Sequence, residues 1–393
     1  MGCQDGDMIN GRTLVERAAA LTPLVRDHAD QAEADRHLNE TVAVALAEAG
    51  LHRLGAPPSY AGADASPRHQ LEAIEAIAYA DGATGWNLMI GVENLALMAL
   101  QWRHGAELLS DPLTIVCGST AAVCRADAVK GGWQITGRWP WASGCHNAHW
   151  FGGQVLAFSG DEQMSPRPVY AFARRGEFEI LDTWHTSGMR GSGSHDVLID
   201  GLVVPDEQIA FYDKAWVARQ RAESVLARIP LGVRLAHNKT AVALGIARAA
   251  VDVFIELAAH KTPAFGSVSL AERPFAQQAL ARAESRLRAG RAWVLDECDH
   301  AWERASRHEP FTDKQKAVFL MACADTTAGC VEAVESVVEA AGTTANMAGH
   351  PLDRLRRNAT VVRSHVTVAP HLRDEAAARL LGITTPSFLF DLP

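Results

Sequence analysis

The chain has 393 residues, 48% of them hydrophobic and 21% charged, which is typical of a globular protein with a large core. A net charge of -9 and a pI near 6.0 argue against a general nucleic-acid binder, which would carry a basic face. The sequence holds no apolar run of about 18 residues or more, so we predict no membrane span. The polar start MGCQDGDMINGRT lacks the apolar stretch of a secretion signal. We therefore expect a cytoplasmic protein.

Seven cysteines occur at irregular spacing, and none of them forms a CxxC pair. An odd number without disulfide or metal-ligand spacing indicates reduced thiols, most of them small buried residues. These cysteines are Cys3, Cys117, Cys124, Cys145, Cys298, Cys323 and Cys330.

Three regions of different periodicity divide the chain. The first has apolar residues at three- and four-residue spacing, which predicts helices, with a break near Asp81. The second consists of short segments rich in β-branched and aromatic residues, which predicts a small barrel or sandwich. The third has long alanine-rich helices, which predict an up-and-down bundle. The expected units are an N-terminal helical domain (1–112), a middle β-domain (113–214) and a C-terminal four-helix bundle (215–393).

The segment RWPWASGCHNAHW, residues 138–150, concentrates tryptophan, serine, cysteine and histidine. His146 and His149 follow Cys145, but positions three apart in an extended segment point to opposite faces, and no second ligand pair accompanies them. We therefore predict no metal site. A strand of alternating aromatics that ends at Ser143 would offer a flat apolar wall with one hydroxyl, which suits a planar cofactor. Plain core packing of the same aromatics is the competing interpretation.

The segment GMRGSGS, residues 188–194, is rich in glycine but ends without GK[ST]. It also precedes a strand rather than a helix, which argues against a P-loop and a dinucleotide-binding fingerprint. A β-turn that needs glycine dihedrals accounts for it. No GxSxG elbow occurs, so a serine hydrolase has little support.

The order of helices, β-domain and helix bundle resembles the acyl-CoA dehydrogenase fold, and three motifs follow in the same order. GGWQITGRWPWASG resembles the segment G-x-W-x-x-x-G-x-W-x-F-x-S-G that lies against the flavin. LDTWHTSGMRGSGSHDVLIDGLVVP resembles W-x-x-x-G-x-R-G-T/S-G-S-x-D-V and a strand ending in Val-Pro. PLDRLRRNATVVRSHVTV resembles the C-terminal helix P-L-x-R-x-x-R-D/N. The resemblance covers about residues 12–390 and implies an α+β, mostly α fold of this type.

Two branches share this fold. Dehydrogenases use a glutamate to take a proton from a thioester α-carbon, but the regions where they place it, residues 233–244 and 358–370, contain no carboxylate. The second region instead carries His365, where the group D flavin monooxygenases place an active-site histidine. Loss of a catalytic base typically costs about 10² to 10⁴ in rate, so the missing glutamates argue against a dehydrogenase.

The resemblance thus implies the oxygenase component of a two-component flavin-dependent monooxygenase. Such an enzyme takes reduced flavin (FADH2 or FMNH2) from a separate NAD(P)H:flavin reductase. It forms a C4a-hydroperoxyflavin with O2 and hydroxylates an aromatic or heteroaromatic molecule of phenol, indole or polyketide type. An acyl-CoA dehydrogenase with an unusual base, an N- or S-oxygenase, and a scaffold that has lost flavin remain alternatives.

The resemblance also implies residue roles. Ser143 matches the serine near flavin N5, and His365 would polarise the peroxide or a substrate hydroxyl. Thr343 and Thr344 match a loop that often reaches the flavin from a neighbouring subunit, and the family usually forms homotetramers. The other expected flavin contacts are Gly118, Ser119, Trp139, Trp141, Ala142 and, for the phosphate, Arg273 or alternatively Lys261.

One position departs from the family pattern. Many oxygenases carry a substrate-facing histidine eight residues after the tryptophan of a Gly-Trp pair, and in GWNLMIGVENL this position is Asn94, next to Glu93. Asparagine forms hydrogen bonds but cannot act as a base at neutral pH. We expect both residues to contact the substrate. We also expect a substrate that is already electron-rich, such as an indole, or one that reacts at nitrogen or sulfur.

Overall fold

A computed structural model describes residues 10–264, 266–384 and 386–392 of the chain. Cys3, for which we expected a reduced thiol, lies outside the described residues. Helices at both ends of the chain enclose a sheet from its middle part, so the fold is α+β and mostly α, as expected.

Six α-helices precede the sheet in the described part of the chain. The predicted break is confirmed at Asp81, whose carboxylate accepts the Thr84 N–H at 2.8 Å and so caps the fifth helix. That helix is buried almost all round, which is why its sequence is apolar on every side. The helices are α1 (Gly11–Asp27), α2 (Ala29–Asp35), α3 (Glu40–Glu48), α4 (Pro67–Ala80), α5 (Gly82–Gln101) and α6 (Gly105–Leu108).

The middle strands form one eight-stranded sheet in the order β6-β7-β2-β1-β3-β5-β8, with β4 paired to β3. The β1–β3 pair is parallel, and the other pairs are antiparallel. The strands are β1 (Val116–Val129), β2 (Gly132–Trp139), β3 (Trp150–Ser159), β4 (Glu162–Gln163), β5 (Val169–Arg174), β6 (Glu179–Leu181), β7 (Asp196–Val204) and β8 (Ile209–Ala210).

The expected strand through WPWASG is wrong beyond Trp139, where β2 ends. Pro140 has no N–H to donate to a ladder, and Trp141 adopts a left-handed backbone with φ of 60°. The chain therefore leaves the sheet and forms a turn that contains Ser143.

The C-terminal helices share a single hydrophobic core with the N-terminal ones, whereas the sheet has a core of its own. Helix α10 is long and apolar enough to cross a membrane by composition, but 78% of its apolar window is buried inside the protein. The helices are α7 (Lys214–Glu223), α8 (Leu231–His260), α9 (Pro274–Ser306), α10 (Asp313–Ala341), α11 (Pro351–Arg363), α12 (His371–Leu380) and α13 (Phe388–Asp391).

The six cysteines of the described residues are free thiols, and five of them are buried. This confirms the expectation that they pack as small hydrophobic residues.

His237 on α8 is a buried titratable group. Its exposed fraction is 0%, its ring meets Phe319 edge-on, and its ring nitrogens form no hydrogen bond stronger than poorly aligned contacts with the preceding turn of the helix. Burial lowers the pKa of His237 to about 3, and the charges of Lys239 and Arg234 add to the effect.

We expect His237→Leu to stabilise the protein increasingly as the pH falls. The unfolded chain binds a proton at this histidine near pH 6.5, whereas the folded protein keeps it neutral down to about pH 3, so folding stability is lost between these values. The gain should grow by roughly 1.4 kcal/mol per pH unit below the unfolded pKa. Urea unfolding between about pH 7.5 and 5 measures it. The control is His300→Leu, which replaces an exposed histidine. If the free energy of unfolding changes with pH in the same way for the unmodified protein, His237→Leu and His300→Leu, the prediction is wrong.

Candidate active site

Two turns meet against the N-terminal half of α5. The turn 140–147 follows β2, and the turn 188–194 precedes β7. Gly144 N–H donates to Ser192 O at 3.1 Å, which joins the two turns. Asn87 of α5 donates its amide N–H to the second turn at 3.2 Å. Two of the three sequence motifs are therefore held together by one helix.

The third motif reaches the same place through α11. Asn358, the last residue of the P-L-x-R-x-x-R-N pattern, accepts the Met189 N–H at 2.6 Å. A Cβ on Gly188 would overlap the backbone of Arg357, so only glycine allows the turn to lie this close to the helix. These contacts fix the C-terminal end of α11, and His365 lies just beyond that end.

Ser143 is buried at this junction and has two polar partners. Its Oγ accepts the Trp86 Nε1–H at 3.1 Å and lies 2.7 Å from Ser194 Oγ. Ser194 Oγ in turn lies 2.7 Å from Ser192 Oγ. The hydroxyl of Ser143 therefore ends a chain of three serines and is held in place by an indole N–H.

His365 lies on the other side of the same indole. Its ring meets Trp86 edge-on at 5.4 Å between centroids. Its Nδ1 lies 2.9 Å from Thr367 Oγ1 and 3.3 Å from the Thr367 backbone nitrogen, and with the proton on Nε2 it accepts from both groups. Burial lowers the pKa of His365 to about 3, and the nearby charge of Lys239 contributes. His365 is therefore a neutral hydrogen-bond donor through Nε2.

A buried ion pair lies close enough to His365 to affect its pKa. Lys239 Nζ donates to Glu93 Oε2, and the two side chains are only 3% and 8% exposed. Burial raises the pKa of Glu93 and lowers that of Lys239, while each charge opposes the shift of the other. Losing one partner alone would leave an uncompensated buried charge, at a cost of about 3–5 kcal/mol.

The expected substrate residues lie on the one accessible stripe of α5. Ile90, Glu93, Asn94 and Leu97 are partly exposed, while their neighbours along the helix are buried. Asn94 donates to Ile90 O at 2.9 Å, and a Cβ on Gly118 would overlap Asn94 Oδ1. Asn94 therefore lies on the side of α5 that meets β1, whereas the Glu93 side chain turns toward Lys239 of α8.

The expected flavin-lining residues differ in how far they are exposed. Trp139 and Ala142 are 0% exposed and pack in the core of the sheet, so they offer a ligand no surface. The structure thus favours core packing for these two residues. Trp141 is 64% exposed. Ser119 is buried and donates to Pro140 O at 2.6 Å, which supports the turn.

The expected phosphate and subunit contacts lie at the far end of α8. Lys261 follows its last turn and donates to Thr344 Oγ1 at 2.7 Å, and Thr343 is exposed beside Thr344. Arg273 lies in the same α8–α9 connection, just before α9. At 1.5 Å per residue, Lys261 is roughly 33 Å along the axis from Lys239. The structure therefore does not bring these residues to Ser143 within one chain.

Four residues of the site were not expected from the sequence. From the sequence, Trp86 served only to locate position 94. A buried indole N–H needs a hydrogen-bond acceptor, so a tryptophan in an apolar helix could have indicated a polar partner. Ser192 and Ser194 were read as turn residues. Lys239 lies in a stretch noted only for lacking a carboxylate, yet a lysine in an apolar helix indicates a buried ion pair.

Comparison with known proteins identifies the family. The acyl-CoA dehydrogenase N-terminal domain matches residues 14–110, and the acyl-CoA dehydrogenase C-terminal domain matches residues 239–370. Indole-3-acetate monooxygenase of Pseudomonas putida is 31% identical over 92% of this chain and 92% of that enzyme. The flavin-dependent monooxygenase oxygenase subunit HsaA of Rhodococcus jostii (strain RHA1) is 28% identical over 91% of this chain and 94% of its own. The solved structure of XiaF from Streptomyces sp., in complex with FADH2 and glycerol, has a TM-score of 0.87 at 22% identity and covers 96% of this chain and 98% of XiaF.

The chain belongs to the acyl-CoA dehydrogenase family and has the fold of that family, as the motifs implied. Within the family it is a flavin-dependent monooxygenase, the oxygenase component of a two-component system. The two places where a dehydrogenase would hold its glutamate contain Lys239 and His365 instead.

Proposed function

We propose that this oxygenase uses reduced flavin and O2 to hydroxylate an indole or a similarly electron-rich heteroaromatic molecule. The observation that carries the proposal is the cluster in which Trp86 joins the Ser143 hydroxyl to the neutral His365 ring. A separate NAD(P)H:flavin reductase supplies the flavin. We also propose that the protein is cytoplasmic, that it needs neither a membrane nor a nucleic acid, and that its functional units are residues 1–112, 113–214 and 215–393.

The turn after β2 fits a planar cofactor. Trp141 presents an exposed indole, and its left-handed backbone costs of the order of 1 kcal/mol or more, a strain that is often found at functional sites. Ser143 adds one hydroxyl, and Gly118 and Ser119 form the neighbouring stretch of β1. We assign the flavin ring to these four residues. When bound, reduced flavin supplies the electrons that activate oxygen.

His365 acts by donating a hydrogen bond rather than by titrating. Its pKa of about 3 keeps the ring neutral throughout the physiological range, and Nε2 carries the proton. Such a donor stabilises negative charge that develops on oxygen, and a buried donor of this kind is typically worth a factor of about 10² to 10³ in rate.

We expect Ser143→Ala and His365→Ala to divert oxygen from product to hydrogen peroxide. Without the Ser143 hydroxyl the flavin edge loses a hydrogen bond, and without the His365 Nε2–H the developing negative charge on oxygen loses a donor, so hydroxylated indole per flavin should fall by roughly 10²-fold. The measurement mixes protein with reduced FMN or FAD anaerobically, adds O2 and indole, and quantifies both products.

The control is Ser364→Ala, which removes an exposed hydroxyl next to His365 in the sequence. It should behave as the unmodified protein. If the unmodified protein binds neither reduced flavin, or forms no oxygenated product from any aromatic compound offered, the proposed function is wrong.

Glu93 and Asn94 support a substrate with an N–H or O–H group. Glu93 Oε2 is occupied by Lys239, and the Asn238 side chain lies close enough to lower the pKa of the carboxylate, but no donor forms a well-aligned hydrogen bond to the buried Oε1. A substrate donor at Oε1 would satisfy it, and a buried acceptor left unsatisfied costs about 1–3 kcal/mol. Asn94 offers hydrogen bonding but no base, which suits a ring that needs no deprotonation before oxygen is inserted. The similarity to an indole-3-acetate monooxygenase agrees with such a substrate.

We expect the protein to bind indole at least tenfold more tightly than 1-methylindole, which lacks the N–H. The double substitution Glu93→Leu with Lys239→Met removes both charges together and should abolish this preference while the protein still folds. Equilibrium binding of the two indoles to the flavin-loaded protein measures the ratio. An unchanged preference in the double variant would exclude Glu93 as the acceptor.

The flavin site requires a second subunit in our proposal. Lys261, Thr343, Thr344 and Arg273 are too far along the bundle to reach an FMN whose ring lies at Ser143 in the same chain. Phe275 and Met347 are 53% and 61% exposed near these residues in the sequence, which gives that end of the bundle an apolar surface. We propose a homotetramer in which this end completes the site of a neighbouring chain.

Subunit complementation tests the shared site. Ser143→Ala and Arg273→Ala chains should each be defective alone, but chains co-expressed with two affinity tags should form mixed tetramers that regain activity. Some sites then combine an intact Ser143 with an intact Arg273 from the neighbour. A monomer by light scattering, or mixed assemblies without any recovery, would contradict the proposal.

A further inference from the structure

We infer that Ser192, Ser194 and Ser143 form a reversible hydroxyl chain that switches Ser143 between accepting and donating a hydrogen bond toward flavin N5. Ser192 and Ser194 are then positioning residues that act through Ser143. The inference rests on the proposed function, because it takes the flavin ring to lie against Ser143.

The chain of hydroxyls is continuous and enclosed. Ser143 Oγ and Ser194 Oγ are 2.7 Å apart, and Ser194 Oγ and Ser192 Oγ are also 2.7 Å apart. The three serines are 4%, 4% and 1% exposed, so bulk water does not compete for these bonds. Such distances are typical of O–H···O hydrogen bonds.

The bond from Trp86 fixes how many further bonds Ser143 can form. An indole N–H only donates, so Ser143 Oγ spends one lone pair on Trp86 Nε1 at 3.1 Å. One hydrogen and one lone pair remain on Ser143. One of these two serves Ser194, and the other is available to a ligand.

Two arrangements of the hydroxyl hydrogens keep both serine–serine bonds. If Ser143 donates to Ser194 and Ser194 donates to Ser192, Ser143 keeps a lone pair for the ligand. If the direction reverses, Ser194 donates to Ser143, and Ser143 keeps its hydrogen for the ligand. Hydroxyl rotation alone interconverts the two arrangements, and no heavy atom moves.

The two arrangements match the two redox states of a flavin. N5 of reduced flavin carries a hydrogen and donates, whereas N5 of oxidised flavin carries none and accepts. An oxygenase component takes up reduced flavin and ends with oxidised flavin, so a contact at N5 has to serve both. The serine chain lets Ser143 do so without an unsatisfied hydrogen next to the ring.

Ser192→Ala isolates the switch, because it leaves Ser143, Ser194 and Trp86 in place. Ser194 then has Ser143 as the only acceptor in the chain, which locks the arrangement in which Ser143 donates. The locked arrangement suits oxidised flavin and opposes the N–H of reduced flavin. The dissociation constant for reduced flavin should rise roughly tenfold, and that for oxidised flavin should change little.

The experiment titrates apo-protein with reduced FMN or FAD anaerobically and with the same flavin oxidised. The readout is the ratio of the two dissociation constants, which a general packing defect would not change. Ser192→Thr keeps the hydroxyl, and the motif allows threonine at this position. The Ser192→Thr variant should therefore have the same ratio of dissociation constants as the unmodified protein. Ser194→Ala should also disfavour reduced flavin, because Ser143 then accepts from N5 while its own hydrogen has lost Ser194 as acceptor.

The outcomes separate this inference from the proposed function. If the unmodified protein binds no reduced flavin, the proposed function itself fails. If it binds reduced flavin, and Ser192→Ala is folded by circular dichroism yet keeps the same ratio, the hydroxyl chain is not a switch. The same conclusion follows if Ser192→Ala weakens both redox states equally, or if Ser192→Thr behaves like Ser192→Ala.

Discussion

The hydrogen bond from Trp86 Nε1 to Ser143 Oγ is the contact on which the site depends. It joins α5, the most deeply buried N-terminal helix, to the turn that replaces a strand after Trp139. An indole N–H in a dry interior needs an acceptor, and leaving it without one costs about 1–3 kcal/mol. This hydrogen bond therefore holds Ser143 against the helix. The direction in which the Ser143 hydroxyl hydrogen points then depends on the neighbouring Ser194.

The site lies where the hydrophobic cores of the helices and of the sheet meet. The helices of both ends of the chain share one core and the sheet has another, while a third cluster packs Trp102, just after α5, against Phe172 of the sheet. Polar contacts add to this packing near the two turns, above all the bond from Met189 N–H to Asn358. Glycine at position 188 has no space for a side chain, which lets the turn lie directly on α11.

Periodicity and turn chemistry are local properties, so they predicted the helices, the strands of the middle region and the break near Asp81. The three motifs, rather than periodicity, indicated the family. The sequence did not distinguish Trp139, which is buried in the sheet, from Trp141, which is exposed, because that difference depends on the strand ending at Pro140 and on a left-handed residue after it. It also did not predict the Glu93–Lys239 pair. Those two residues are far apart in the chain, and only the packing of α5 on α8 brings their charges together.

Many oxygenases carry a histidine at the position of Asn94. The charges around His365 explain why a site that lacks this histidine is still consistent with oxygen chemistry. Glu93 and Lys239 cancel each other, and burial together with Lys239 keeps His365 neutral. Neutral surroundings do not protonate an electron-rich substrate ring, and protonation would make that ring less reactive toward an electrophilic oxygen. They also supply no free proton that would release activated oxygen as hydrogen peroxide. In the proposed site, the hydrogen bonds come from Ser143 and His365, which the structure holds on either side of Trp86. A histidine in place of Asn94 would add a titratable group, and a substrate that reacts without prior deprotonation does not need one.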